Sequence, residues 1–214
     1  MMPIGDKTIL EILLYQMKAA GINHVTLTVG HMAGLMRAFF QDGSQYDLDI
    51  QYAYETTPLG TAGPLANITH LKNTFLVANG DVLSLLPIRD LVQFHKESDA
   101  ICTIAMHERT VKIDLGVIEM DGDHQVINYI EKPSIDYRVS MGLYVFEPRV
   151  LQYIPPGQYL DFPDLVQKLL AAGERVLGFP YEGYWQDLGH PDDYDQAVND
   201  FDSLRHLFLP GEKN

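Results

Sequence analysis

A single cysteine, Cys102, excludes any intrachain disulfide and makes a reducing compartment the natural home of this chain. It lies in the apolar run 100–106 and reads as a core thiol rather than a nucleophile. Basic residues are also scarce. Fifteen Lys and Arg stand against 29 Asp and Glu, a formal net charge of −14. That sign is wrong for wrapping nucleic-acid phosphates or sitting on an anionic membrane, so small molecules are the expected partners. No apolar stretch approaches the roughly 18 residues of a spanning helix, and no basic-then-apolar leader pattern opens the chain; the expected location is cytoplasmic. The eight histidines show no zinc spacing. Internal repeats, low-complexity tracts and linkers are missing too. What remains, 214 residues at 46% hydrophobic, is enough to bury one substantial core, and the expectation is a single domain over 1–214.

The hydrophobic period switches repeatedly between helix and strand. Ile9, Leu10, Leu13, Leu14 and Met17 form a helical stripe that stops at Gly21, a C′ residue, and His24–Val29 alternates as a strand. Further steps pair a helix at 33–40 with a strand at 50–54, a helix after Pro64 with a strand at 74–78, and a helix at 88–98 with a strand at 100–107. Such alternation implies right-handed crossovers and an α/β, doubly wound, mostly parallel (Rossmann-like) sheet covered on both faces. Leu115–Met120 and Val126–Glu131 flank the turn signal Asp121-Gly122-Asp123 and read as an inserted β-hairpin. The sheet resumes at 140–146. Helices follow near 148–153 and at 162–172, strands at 175–179 and 184–187, and a last helix from Pro191 to Phe208.

In such a sheet ligands bind where loops leave the carboxyl ends of strands. The loop Glu55-Thr-Thr-Pro-Leu-Gly-Thr-Ala-Gly63 is one of these. Gly60 and Gly63 let backbone approach a planar base or ribose, and Pro58 stiffens the entry; taken alone, such a loop is more often a plain turn, and its place after the third helix–strand step together with the other motifs reverses that. Asn79-Gly80-Asp81 ends an apolar strand, and Asp187 closes another in Trp185-Gln186-Asp187-Leu188-Gly189. Hard Mg²⁺ takes oxygen ligands, typically one or two carboxylates plus substrate phosphates. The plain alternative is that Asp81 caps a helix and Asp187 serves a turn. Glu131-Lys132-Pro133 closes the hairpin, where a lysine suits a phosphate as a compact point charge. Gly116 is equally a strand bulge. Tyr184 and Trp185 either wall a pocket or close the core.

Together, Pro58-Leu-Gly-Thr-Ala-Gly-Pro-Leu65, Asn79-Gly-Asp81, Glu131-Lys-Pro133 and Trp185-Gln-Asp-Leu-Gly189 resemble the sugar-1-phosphate nucleotidyltransferases, mannose-1-phosphate guanylyltransferases in particular, from Pro3 to about Ala197. The resemblance implies transfer of a nucleotidyl group from an NTP to a sugar 1-phosphate, giving an NDP-sugar and pyrophosphate. It implies Glu55, Pro58, Gly60, Thr61 and Asp81 at the nucleotide, and Gly116, Glu131, Lys132 and Ser140 at the sugar phosphate. Asp81 and Asp187 would hold Mg²⁺ as cofactor, and Asp81, Lys132 and Asp187 would be the catalytic set. A carboxylate at Glu55 suits the adjacent N–H donors of guanine, which favours GTP; a bridging water or backbone amide would invert that logic.

Two departures stand out. Ser140 occupies a place where the family commonly carries Asn at the sugar, which leaves the sugar open. The family's opening strand, Gly-Gly-x-Gly-Thr/Ser-Arg loop and Lys-Pro, which cradle the triphosphate, have no counterpart here. The expectation is a start at an internal methionine or a fragment, with an edge or gap in the sheet that invites aggregation or strand donation. A non-catalytic nucleotide-sugar-binding or regulatory subunit is the alternative. A glycosyltransferase is the third reading, from Asp47-Leu48-Asp49, but those aspartates precede a strand instead of following one. A homo-oligomer stays open.

Overall fold

The computed structural model describes residues 2–212. A short antiparallel ribbon, β1 (Pro3–Ile4) and β2 (Lys7–Thr8), leads into α1 (Ile9–Ala19). Thr8 starts this helix through a capping box: its hydroxyl accepts from the Glu11 amide, and the Glu11 carboxylate accepts from the Thr8 amide. The helix ends as its sequence predicts. Gly21, at φ +89°, donates to Lys18 and Ile22 donates back to Met17, the paired bonds of a Schellman stop.

β3 (His24–Val29) pairs in parallel with β4 (Asp49–Tyr54), with α2 (Ala33–Phe40) crossing between them. A 3₁₀ turn at Gly63–Asn67 then leads to β5 (Phe75–Ala78), β6 (Val82–Ser84) and α3 (Ile88–Lys96). β7 (Cys102–Lys112) is followed by the hairpin β8 (Val117–Met120) and β9 (Val126–Ile130), then β10 (Ser134–Phe146). A second 3₁₀ turn at Pro148–Tyr153 precedes α4 (Phe162–Ala171), β11 (Val176–Pro180), β12 (Trp185–Asp187) and α5 (Pro191–Phe208).

The main sheet has four strands in the order β11-β7-β10-β5. β10 is antiparallel to both β5 and β7, and β11 is parallel to β7, so three strands share a direction and β10 opposes them. The class is α/β, as the period predicts, with one reversed strand in a mixed sheet. Alternate side chains of β10 serve opposite layers. Tyr144 and Phe146 pack with Phe162, Leu165 and Leu169 under α4, whereas Leu143 and Val145 pack with Leu13, Met17 and Leu91 of α1 and α3. α1 also carries Ile9 and Ile12 to Phe201 and Phe208 of α5, and Leu14 to Phe40 and Ile50 beside β4. Cys102 is fully buried, and burial pushes its thiol up to about 12, in keeping with a core role. Among the described residues no helix is long and apolar enough to cross a membrane.

Several elements depart from the sequence reading. The segment after Pro64 is a 3₁₀ turn rather than a longer helix, and 148–153 is another. β7 and β10 extend well past 107 and before 140, where their outer residues pair from Val139↔His107 to Ser134↔Lys112. Those outer residues are mostly exposed, so no core-facing alternation announces them.

Candidate functional site

The Gly-rich loop leaves the end of β4 and is stapled to the start of α4, a hundred residues away in sequence. Gly60 stands at φ +76°, and a Cβ there would lie 2.6 Å from the Leu160 carbonyl oxygen. The amides of Ala62 and Gly63 donate to that same carbonyl at 2.9 and 3.0 Å. Thr61 completes the joint reciprocally. Its amide and hydroxyl donate to the Asp161 carboxylate at 2.9 and 3.1 Å, while its oxygen accepts from the Phe162 amide at 2.9 Å. Asp161 sits at the N-cap position of α4 without capping it, so the Thr61 hydroxyl supplies the missing acceptor. The Tyr159 hydroxyl and the Thr61 amide hold the Asp161 carboxyl below the usual carboxylate range. Glu55 works inside the loop: its Oε2 accepts from the Leu59 amide at 3.1 Å, leaving the other oxygen with acceptor capacity. Pro58 is exposed at the tip.

Asp81 lies between β5 and β6, exposed, one residue before Val82. Val82 pairs with Asp187 across the antiparallel β6–β12 ladder, and the Leu188 amide donates to the Asp81 carbonyl at 3.2 Å. The two aspartates predicted as a pair are therefore neighbours. Asp187 accepts from the Gly189 amide at 3.1 Å, and its side chain is 40% exposed. Its own amide donates to the Asp193 carboxylate at 3.0 Å. Asp193 also pairs with Arg109 of β7, whose guanidinium lies 4.7 Å from the Trp185 ring centroid. His190 stands 3.8 Å from Asp187 at the entry to α5. Asp81 and Asp187 are hard-oxygen donors suited to a divalent cation completed by substrate phosphate and water; among the described residues no cluster of three or more His, Cys, Asp or Glu could hold an ion by itself.

Next to Asp81, β10 bulges between Ser140 and Tyr144. Gly142, at φ +74°, accepts from the Asn79 amide at 2.9 Å, and a Cβ there would meet Asn79 Nδ2 at 2.9 Å. Ser140 donates to the Tyr144 hydroxyl at 2.9 Å and accepts from the Gly142 amide at 3.3 Å, so its side chain serves the bulge. At the hairpin, Tyr129 donates to the Glu131 carboxylate at 3.0 Å and lies so close over Gly116 that a Cβ there would sit 2.1 Å from its hydroxyl. Lys132 is exposed and left-handed at φ +46°.

Gly60, Thr61 and Asp81 line one cavity of about 710 Å³; Asp187 is not part of its lining and is placed one residue from Asp81 by strand pairing. Gly116, Glu131 and Lys132 form a separate group on the hairpin and do not line that cavity. Asp47 and Asp49 lie at the start of β4, opposite to the loop, where Asp49 accepts from His24 at 3.0 Å. Trp185 closes the core: it is buried and donates to the Met141 carbonyl at 3.3 Å. Sequence reasoning missed Asp161, Arg109 and Asp193. Asp161-Phe-Pro carries a helix-start signal that marks the first; nothing local marks the other two, which act across about eighty residues of chain.

A family model described as nucleotidyl transferase matches residues 1–203. A UTP–glucose-1-phosphate uridylyltransferase from Synechocystis sp. is 32% identical over 235 residues, covering 99% of this chain and 60% of the relative. A mannose-1-phosphate guanylyltransferase from Mycobacterium tuberculosis is 35% identical over 201 residues, covering 91% of this chain and 56% of the relative. The chain thus spans between half and two thirds of the length of these relatives. Among solved structures, HddC from Yersinia pseudotuberculosis complexed with GMP-PN superposes with a TM-score of 0.71 at 21% identity, covering 94% of this chain and 88% of that one, a likeness of fold.

Proposed function

Because this chain belongs to the nucleotidyl transferase family, we propose that it carries the binding site of an enzyme that transfers a nucleotidyl group from an NTP to a sugar 1-phosphate. An oxygen of the sugar phosphate attacks the α-phosphorus in line; a new P–O–P link forms, the bond to pyrophosphate breaks, and a nucleotide sugar and pyrophosphate result. The observation that carries this reading is the convergence of Gly60, Thr61 and Asp81 on one cavity, with Asp187 paired one residue from Asp81.

The chain's own residues divide the work. The loop at Gly60 offers backbone at close range to the nucleoside, held rigid by the Asp161 joint. Glu55 shapes that loop and keeps one oxygen for the base, which favours guanine and hence GTP; the name of the M. tuberculosis relative supports GTP with mannose 1-phosphate. Asp81 and Asp187 would hold Mg²⁺, which when bound supplies neutralisation of phosphate charge. Lys132 orients the sugar phosphate, and its left-handed backbone, unusual for lysine, is the kind of strain that collects at functional positions. Glu131 and Gly116 flank it, with Ser140 at the bulge.

The test is pyrophosphate release with Mg²⁺, each NTP in turn, and mannose 1-phosphate or glucose 1-phosphate. GTP with mannose 1-phosphate is the expected pair, and Asp81→Asn is expected to lower turnover on the order of 10²-fold or more. Undiminished turnover in Asp81→Asn would sink the metal assignment. A second reading, nucleotide-sugar binding without turnover, is favoured by the open cleft that runs from Gly60 and Asp81 between β3 and β5. It predicts GDP-mannose binding in equilibrium dialysis with no pyrophosphate released.

A further inference from the structure

Trp185 of β12 is buried, and two side chains of β7 lie against its ring: His107, with centroids 5.3 Å apart, and Arg109, whose guanidinium carbon is 4.7 Å from the centroid. As alternate residues of one strand they share a face, and the register brings Tyr137 and Val139 of β10 to that same face. One end of the guanidinium is held by Asp193, through the carboxylate oxygen that also accepts from the Asp187 amide. Arg109 is thus separated from Asp187 by a single shared oxygen. Among the described residues its remaining N–H donors have no hydrogen-bond partner, and its side chain is 36% exposed. A strut from β7 to α5 needs only the bond to Asp193. The stack on Trp185 does more, because it fixes the plane in which the unused donors point.

We propose that Arg109 binds the phosphate of the sugar 1-phosphate, with Trp185 and Asp193 setting the angle of its guanidinium. The proposal rests on the nucleotidyl-transfer reading and adds to it a phosphate-binding residue outside the sequence motifs. A phosphate monoester carries a charge of about −1.5 to −2 near neutral pH, and its oxygens accept two parallel bonds from one guanidinium edge. Position selects the sugar phosphate over the NTP. Arg109 does not line the cavity of Gly60, Thr61 and Asp81, and it lies at the foot of the β7–β10 ribbon, whose outer end leads to Glu131 and Lys132. The ribbon therefore carries two cations, Arg109 beside Asp187 and Lys132 at the hairpin, toward one ligand. Asp187 and Asp193 oppose an approaching phosphate, so its binding is expected to need both Arg109 and a divalent cation.

The test is equilibrium dialysis of labelled mannose 1-phosphate and of GTP against wild type, Arg109→Gln and Arg109→Lys over a range of Mg²⁺ concentrations, with urea unfolding to confirm that each variant folds. At saturating Mg²⁺, Arg109→Gln is expected to weaken mannose 1-phosphate on the order of tenfold or more and to leave GTP unchanged. Arg109→Lys keeps the charge without the planar pair of donors and should recover only part of the loss. Added salt should weaken mannose 1-phosphate more in wild type than in Arg109→Gln. Three results would each overturn the proposal: undiminished mannose 1-phosphate binding in Arg109→Gln, an equal loss of GTP, or full recovery as Mg²⁺ is raised, which is what a strut acting only through Asp193 and Asp187 would give. All three leave the transfer reading standing. Wild type that binds neither mannose 1-phosphate nor glucose 1-phosphate would overturn both.

Discussion

Gly60 shows how much one absent side chain decides. Its left-handed backbone costs an alanine about 1–2 kcal/mol, and the Leu160 carbonyl 2.6 Å from the new Cβ is backbone and cannot swing aside. Gly60→Ala is therefore expected to lose at least about 1–2 kcal/mol in urea unfolding. Gly116→Ala should lose much less, since the atom in its way is the tip of the exposed Tyr129 side chain. Comparable losses would show that the loop is not held against Leu160. Thr61→Val removes the acceptor for the Phe162 amide together with the hydroxyl's bond to Asp161, and should cost at least about 1 kcal/mol, the usual worth of a helix cap, by the same measurement. His95 is a different case. It is 1% exposed, bonded to Thr103 at 2.8 Å, and 3.3 Å from Glu147 without the alignment for a hydrogen bond. Burial lowers its pKa, and Glu147 only partly opposes that. The unfolded chain thus takes up a proton below the usual histidine value of about 6.5 while the folded chain resists it. Its stability contribution should be complete above that pH and fall as pH drops toward the folded value. His95→Gln should flatten this slope in unfolding free energies measured from pH 7 downward.

At the scale of elements, the junction of β12 and α5 is what presents Asp187. Asp193 gathers the Asp187 amide and the Arg109 guanidinium, tying the helix entry to β7. Asp193→Asn keeps the shape and drops the charge. It is expected to destabilise by about 1–2 kcal/mol, the range for a hydrogen bond to a charged group discounted for the partly exposed arginine. It should also raise the Mg²⁺ concentration needed for half-maximal nucleotide-sugar formation. A mutant with wild-type stability and Mg²⁺ dependence would remove Asp193 from the site. The elements themselves were largely legible: the Schellman stop at Gly21 and the hairpin around Asp121-Gly122-Asp123 follow from local residue chemistry. The reversed direction of β10 and its bulge at 141–143 were not, because strand direction depends on the partner and not on the strand's own alternation.

For the molecule as a whole, the division between β3–β4 and the four-stranded sheet is the dominant feature. No ladder among the described strands joins them, and α1 bridges the two through Leu13 and Met17 on one side and Leu14 on the other. Cooperative protection should follow that division. Amides of β3 and β4 are expected to exchange on the order of tenfold faster than those shared by β7 and β10 in native-state exchange. Uniform protection across both would mean that helix packing alone makes the sheet a single cooperative unit.

Read alone, the sequence determines whatever rests on near neighbours along the chain: helix stops, the hairpin, the α/β class, the apolar faces, and the motifs from Glu55 to Asp187. It also marks Asp81 and Asp187 as candidate hard-oxygen ligands. Only the tertiary structure decides which of these meet. It puts Asp81 beside Asp187 through the β6–β12 ladder, turns Thr61 into the cap of α4, and closes the core with Trp185. It separates Lys132 from the cavity of Gly60 and leaves a slot between β3 and β5. The physical reason is common to all of these. Hydrophobic period and turn chemistry act over a few residues, whereas pairing partners, long-range caps and unpaired edges arise from contacts between segments far apart in the chain, which no local pattern encodes.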